Sequence, residues 1–231
     1  MRTALALGAI AALATSASAQ IASQPFDGIT DGFVISEATP GGFFDNRGAD
    51  NFNVSTASFI DGVSWWGTEE GFFSIDFPGN IASFEISFLN DNAGSPGSVA
   101  SSTTVSIADA NLSATDTGSD SFNGGDIFRF DFVFDTTPEL PAGDYWLSIG
   151  ANPVTDFLDD DSFFWAYSGT GDGTLAQVTP ADGSGWVVAP GTDPGGLSNG
   201  LALEVFATPV PAPGAFALVG LAGLAGARRR R

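Results

Sequence analysis

The chain has 231 residues, 27 acidic side chains against seven basic ones, a formal net charge of −20, and no His, Cys or Lys. A surface of that sign repels phosphate backbones and excludes nucleic-acid binding. The missing residue types exclude Ser-His-Asp and Cys-His nucleophiles, Schiff-base chemistry, His-based zinc sites and disulfides.

At 43% hydrophobic, with 21 Phe and 5 Trp, the chain is too apolar to remain unfolded despite its charge. Its first residues are Met1-Arg2, an apolar run from Ala4 to Ala14, and the small residues Ala17-Ser18-Ala19 before Gln20. This order is expected of a secretory signal peptide, residues 1–19, removed by signal peptidase after Ala19. The organisation expected is therefore a leader, one domain over 20–208, and a C-terminal segment over 209–231. Arg2 and Arg228–Arg231 belong to the flanking segments, so within the domain only Arg47 and Arg129 face all the acids.

Through the domain the apolar residues alternate, which is the period of half-buried strands. Asp50 to Phe59, Asp61 to Trp66 and Phe72 to Phe77 are the first candidates. In Ile81 to Asn90 the alternation sets Phe84, Ile86 and Phe88 against Glu85 and Ser87. Ser98 to Ile107 follows, then Ile127 to Asp135, with Phe128, Phe130, Phe132 and Phe134 inward and Arg129 and Asp131 outward. Asp144 to Ile149, Ser162 to Tyr167, Thr174 to Val178 and Leu201 to Phe206 complete the set. Turn residues separate them at Asn92–Gly97, Thr137–Gly143 and Gly169–Gly173, and Asp182 to Asn199 reads as a long loop carrying Trp186. Roughly ten short strands with Gly- and Pro-rich connections predict an all-β fold, an antiparallel β-sandwich of jelly-roll-like type.

For an enzyme only carboxylate chemistry is left, and a glycosidase needs two carboxyls facing each other across a cleft. Glu37, Glu69, Glu70, Glu85, Glu139 and Glu204 are available for it. Glu85 and Glu204 occupy outward strand positions that read as solvated faces, whereas Glu69 and Glu70 follow Trp65-Trp66 into an expected loop. No catalytic residue is assigned, and the chain is read as a non-enzyme.

Carbohydrate binding would need flat aromatic faces beside Asp and Asn, because the C–H face of a pyranose stacks on a π surface while its hydroxyls seek polar partners. Its candidates are Trp65, Trp66, Trp146 and Trp186, with core packing the competing role for each. Alternation puts Trp146 opposite Tyr145, Leu147 and Ile149 and so toward solvent, and Trp65 and Trp66 cannot both face one way. Asp156, Asp159, Asp160 and Asp161 crowd one stretch. Calcium suits oxygen-rich loops of this kind, and a solvated acidic loop is the competing reading.

The C-terminal segment opens with Val210-Pro211-Ala212-Pro213-Gly214, runs apolar or small to Ala227, and closes with Arg228, Arg229, Arg230 and Arg231. Such a run is marginal against the roughly 20 residues that cross a bilayer. A short transmembrane helix is expected, its prolines at the first turn and its arginines holding the bulk of the chain outside. Pro-X-Pro, a short apolar helix and a terminal Arg cluster resemble the PEP-CTERM sorting signal. That resemblance implies recognition and processing by an exosortase-like enzyme, with Pro211-Ala212-Pro213 standing where the family has Pro-Glu-Pro. A second resemblance rests on GVSWWG (62–67), FEISFLNDNAGSPGS (84–98), DYWLSIG (144–150), FFWAYSG (163–169) and LALEVF (201–206). These resemble exported β-sandwich ectodomains that precede such tails, which implies an association with bacterial envelopes and extracellular polysaccharide.

The expectation is an exported protein, held at the membrane before sorting and at the cell surface or outside it afterwards. Its expected role is structural or adhesive in the envelope or polysaccharide matrix. A carbohydrate-binding module is the alternative, and a carboxylate hydrolase the third.

Overall fold

The computed structural model describes residues 17–28, 33–37, 46–70, 79, 81–121, 124–154, 162–178, 185–190 and 200–211. The leader up to residue 16, the strand expected over Phe72 to Phe77, the acids Asp156, Asp159, Asp160 and Asp161, and the tail from Ala212 onward lie outside the described residues.

Among the described residues the elements are strands: β1 (Ala19–Gln24), β2 (Phe33–Ile35), β3 (Arg47–Val54), β4 (Ser58–Glu70), β5 (Ile81–Asp91), β6 (Pro96–Ser106), β7 (Leu112–Asp120), β8 (Asp126–Val133), β9 (Glu139–Leu140), β10 (Gly143–Pro153), β11 (Ser162–Ala166), β12 (Thr174–Val178), β13 (Val187–Pro190) and β14 (Leu203–Pro209). They form two sheets whose ladders are antiparallel, packed as a β-sandwich. No helix long and apolar enough to cross a membrane occurs among the described residues.

The first sheet is built on β4, whose length lets it serve two neighbours along each edge. Trp65 pairs with Leu203 of β14 on one side and Phe130 of β8 on the other, while Gly67 pairs with Trp165 of β11 and Phe128 of β8. β9 meets the start of β4, and β1, β2 and β7 extend the sheet from β14, β11 and β8. A Cβ on Gly67 would lie 2.6 Å from the Phe163 ring and from the Phe164 carbonyl, so this crossing point admits only glycine. The second sheet runs β13-β12-β3-β10-β5-β6. Most connections carry the chain from one sheet to the other.

The inward alternation fills the space between the sheets with aromatic rings. Trp65 stacks on Phe130 at 5.3 Å, and Phe84 meets Trp65, Phe130 and Phe163 edge-on at 5.1 Å each. Such offset and edge-on geometries add to simple area burial. Phe84, Ile86 and Phe88 are buried, as are Phe130, Phe132 and Phe134, in agreement with the period-two expectation for both segments. Two devices fix the corners. Ser36 joins the sheets: its N–H donates to Phe163 O of the first, its carbonyl accepts from Ala151 N of the second, and its hydroxyl donates to Ile149 O and accepts from Gly48 N. Tyr145 Oη donates to Pro141 O, pinning the turn before β10.

β1 and β2 are not among the expected strands, β9 lies within the expected turn Thr137–Gly143, and four further details differ from the sequence expectation. Ser55 and Thr56 make a bend, so Asp50 to Phe59 belongs to two strands, β3 and β4. Glu69 and Glu70 are not in a loop, because pairing with Phe163 and Ser162 extends β4 to Glu70, and Glu69 is only 3% exposed. The stretch carrying Trp186 contains β13, held by its ladder to β12. Finally, β7 forms with almost no apolar alternation (LSATDTGSD), because β8 supplies the ladder.

Candidate functional site

The outward side chains of the second sheet line a groove of about 540 Å³ that includes Asn51, Asn53, Asp91, Asp144, Trp146 and Asp172. The strand period explains its membership. On β3, Phe52 and Val54 point into the core and leave Asn51 and Asn53 outside; on β10, Tyr145, Leu147 and Ile149 point in and leave Asp144 and Trp146 outside. The register sets Asn53 opposite Asp144 and Asn51 opposite Trp146. Asp91 arrives from the end of β5, on a turn in which its carboxylate accepts from Gly94 N at 3.0 Å and Ala93 and Gly94 adopt positive φ.

Each carboxylate in the groove is held by a neighbouring N–H. Trp146 Nε1 donates to Asp91 at 2.9 Å, Asn53 Nδ2 to Asp144 at 2.6 Å, and Asn51 Nδ2 to Asp172 at 2.8 Å. Asp172 also accepts from Thr174 N at 2.9 Å. One N–H of each asparagine amide is thus engaged by a carboxylate, while the carboxylates and amide oxygens keep spare lone pairs. The groove is rich in acceptors and poor in donors, a surface suited to hydroxyl-bearing ligands.

Asp50 lies beneath this wall. Its carboxyl is fully buried and accepts from Asn51 N and from Leu201 N, which ties β3 to the residues just before β14. Burial pushes its pKa well above the usual 3.8, two backbone N–H groups oppose that, and the nearby Asp172 charge adds to it. A Cβ on Gly200, whose φ is +149°, would lie 2.5 Å from Asp50 Oδ2 and 2.6 Å from Gln24 Oε1. Gln24 Oε1 is buried without a hydrogen-bond partner among the described residues.

The indoles do not form an exposed platform. Trp65 is 0% exposed and sits in the core. Trp66 faces away from that core, so the two indoles do point opposite ways, yet it is 5% exposed, packed among Ile127, Ala166, Ala202, Phe26 and Phe33. The solvent exposure expected of Trp146 is corrected: it lies on the outer face but is 1% exposed, packed with Ala49, Leu89 and Ala176, with Trp186 against the same cluster. Of the four candidates, Trp186 alone is half-buried rather than buried. Trp165, fully buried, uses its Nε1 to donate to Ala202 O at 2.8 Å.

Glu85 and Glu204 are outward but not merely solvated. Glu85 takes both terminal nitrogens of Arg47, at 3.0 and 2.9 Å, and this bidentate contact holds its pKa below the usual 4.5. Glu204 accepts from Arg129, which also donates to Asp131, each at 2.9 Å. The domain's two arginines are therefore both spent on carboxylates.

Among the described residues no group of three or more acidic side chains converges as a metal ion would require, and the acids named for calcium lie outside them. Asn51 and Asn53 escaped the sequence reading; their i, i+2 spacing on a strand is the signal that would have placed them on one face. No protein-family model matches the chain, and no curated protein matches it significantly.

Proposed function

We propose that the chain is an exported, non-catalytic protein, structural or adhesive in a bacterial envelope or extracellular polysaccharide matrix. A signal peptide over 1–19 delivers it and a PEP-CTERM-like segment over 209–231 anchors it until an exosortase-like enzyme processes it. The observation that carries this reading is the pairing of the domain's first and last strands. β1 begins at Ala19, opposite Ala207, and β14 ends at Pro209. A leader and a tail can thus leave from one end of neighbouring strands, and the segments 1–19 and 209–231 include only the terminal residues Ala19 and Pro209 of those ladders. The frequent sheet-to-sheet crossings support the jelly-roll-like course, and a core filled with aromatic rings supports a durable body without disulfides.

The test is fractionation of the native host with mass spectrometry of both termini. A surface-located protein starting at Gln20 and lacking Arg228–Arg231 is the expected result. Cytoplasmic protein with Met1 intact would overturn the export, and surface protein retaining the arginines would overturn the processing.

The acceptor-rich groove of Asn51, Asn53, Asp91, Asp144 and Asp172 favours a second reading, a carbohydrate-binding module. In it the carboxylates and amides would take sugar hydroxyls, with Trp146 as a wall and not a stacking platform. Retention of the protein on immobilised extracellular polysaccharide, lost in Asn53→Ala with Asp144→Ala, would support that reading over the purely structural one.

A further inference from the structure

Among the described residues β6 is the longest strand at a margin of either sheet. It pairs with β5 along one side, and among the described residues nothing pairs with its other side. A free edge presents a row of N–H and C=O groups, and natural proteins usually blunt it with charge, proline or irregularity. Here the sequence PGSVASSTTVS has no charged residue and a proline only at its first position. The irregularities in its ladder fall between Phe88 and Asp91, so Ser101 to Ser106 run in unbroken register with Phe88 to Ser83. Other margins are treated differently. β7 carries Asp116 and Asp120, β13 has four residues and ends at Pro190, and β1 has six with a register shift after Gln20.

Beside β6 lies a second groove, of about 430 Å³, lined by Ser101, Thr103 and Val105 together with Phe132 and Phe134. The acids that line it, Asp109 and Asp135, belong to the turn after β6 and to the residues after β8, not to the strand. On β6 itself Val99 is 59% exposed. The edge therefore offers backbone pairing next to a partly apolar slot.

We propose that this edge is a homodimer interface: β6 of a second copy docks on it antiparallel, joining the two six-stranded sheets into one. The charge distribution selects this occupant. Every copy carries 27 acids. Two copies can approach closely only along a strip that sets no carboxylate against another, and β6 against β6 meets that condition over its whole length. Pairing a strand with itself about a two-fold axis consumes the edge on both molecules, so assembly stops at the dimer.

The chain has no native cysteine, so single thiols introduced into the full-length exported protein report the contact directly. Ser101→Cys, Ser102→Cys and Thr103→Cys are oxidised in cells, with Ser113→Cys on exposed β7 as the reference. Disulfide-linked dimers are expected, several-fold above the reference, at the positions that face their own counterparts, since a disulfide needs Cα atoms about 4.4–6.8 Å apart. No β6 position exceeding Ser113→Cys would overturn the proposal and leave the edge to a strand of another protein. The position that cross-links best faces itself across the two-fold axis, so replacing it by Lys, or in a separate variant by Glu, should abolish the dimer seen by native mass spectrometry, and co-expressing the two should restore it. A dimer that persists with the Lys variant alone overturns the proposal as well.

Discussion

Trp66 and Arg129 stand directly opposite one another on β4 and β8, and the guanidinium carbon of Arg129 lies 4.9 Å from the centre of the Trp66 ring. One planar cation thus covers an indole while holding Asp131 and Glu204, the latter with a side chain only 12% exposed. Removing the cation strips the ring of its cover and leaves Glu204 without its partner. Arg129→Leu should cost about 2–3 kcal/mol of unfolding free energy, and Arg129→Lys about 1, since lysine keeps the charge but not the planar stack. Urea denaturation measures both. Equal losses would show that the charge contributes nothing, and an Arg129→Lys protein as stable as the wild type would show that the planar ring contact contributes nothing.

Asp50 makes stability depend on pH with a definite sign. Its folded pKa is raised above the usual 3.8. Between that value and the folded pKa the native state keeps a proton that the unfolded chain has released, so stability falls as pH rises through the window. Asp50→Asn cannot ionise, and the stability difference between it and the wild type should shift in the variant's favour as pH rises. A difference that stays flat from pH 3 to pH 8 would show that Asp50 is charged in the fold.

The Arg47–Glu85 pair acts in the opposite direction. Because the bidentate contact lowers the Glu85 pKa, its contribution is complete above 4.5 and disappears as pH falls through the folded value. Glu85→Gln should lose about 1 kcal/mol at pH 7, a modest figure because the carboxylate is partly exposed, and nothing at the acid limit. Urea midpoints against pH would show the two curves converge; parallel curves would contradict the assignment.

Trp146 separates packing from recognition. With the ring buried, Trp146→Ala should destabilise the domain by about 3–5 kcal/mol, whereas Asn53→Ala, on the exposed side of the same groove, should cost under about 1. Thermal melts of both variants test this. A Trp146→Ala protein as stable as the wild type would mean that the indole is not part of the second sheet's outer packing.

Much of the fold was legible where one face is apolar and the other polar. Phe84, Ile86 and Phe88, and the run from Phe128 to Phe134, announce their strands because burial of one face fixes the register. What escaped depends on neighbours that a single strand cannot reveal. β7 has no apolar face and exists through β8, and Glu69 is buried because β11 runs alongside it. The Trp residues illustrate the limit for the site: alternation correctly put Trp146 on an outer face and Trp65 and Trp66 on opposite ones, but whether an outer face is wet depends on Phe26, Phe33 and Trp186, which arrive from elsewhere in the chain. Asn51 and Asn53 acquire meaning only through the register that brings Asp144 beside them.

The position of β14 between β1 and β4 also has a mechanical consequence. Pro209 at its end pairs with Ser58, and its ladders continue back to Leu203 on both sides. Tension drawn through the C-terminus pulls β14 along its own axis. Both rows of hydrogen bonds are then strained together in shear and cannot be opened one at a time from an end. Resistance to such a pull is set by the rate of forced unfolding, not by equilibrium stability. A body tethered by its last strand would therefore yield only when both ladders fail at once.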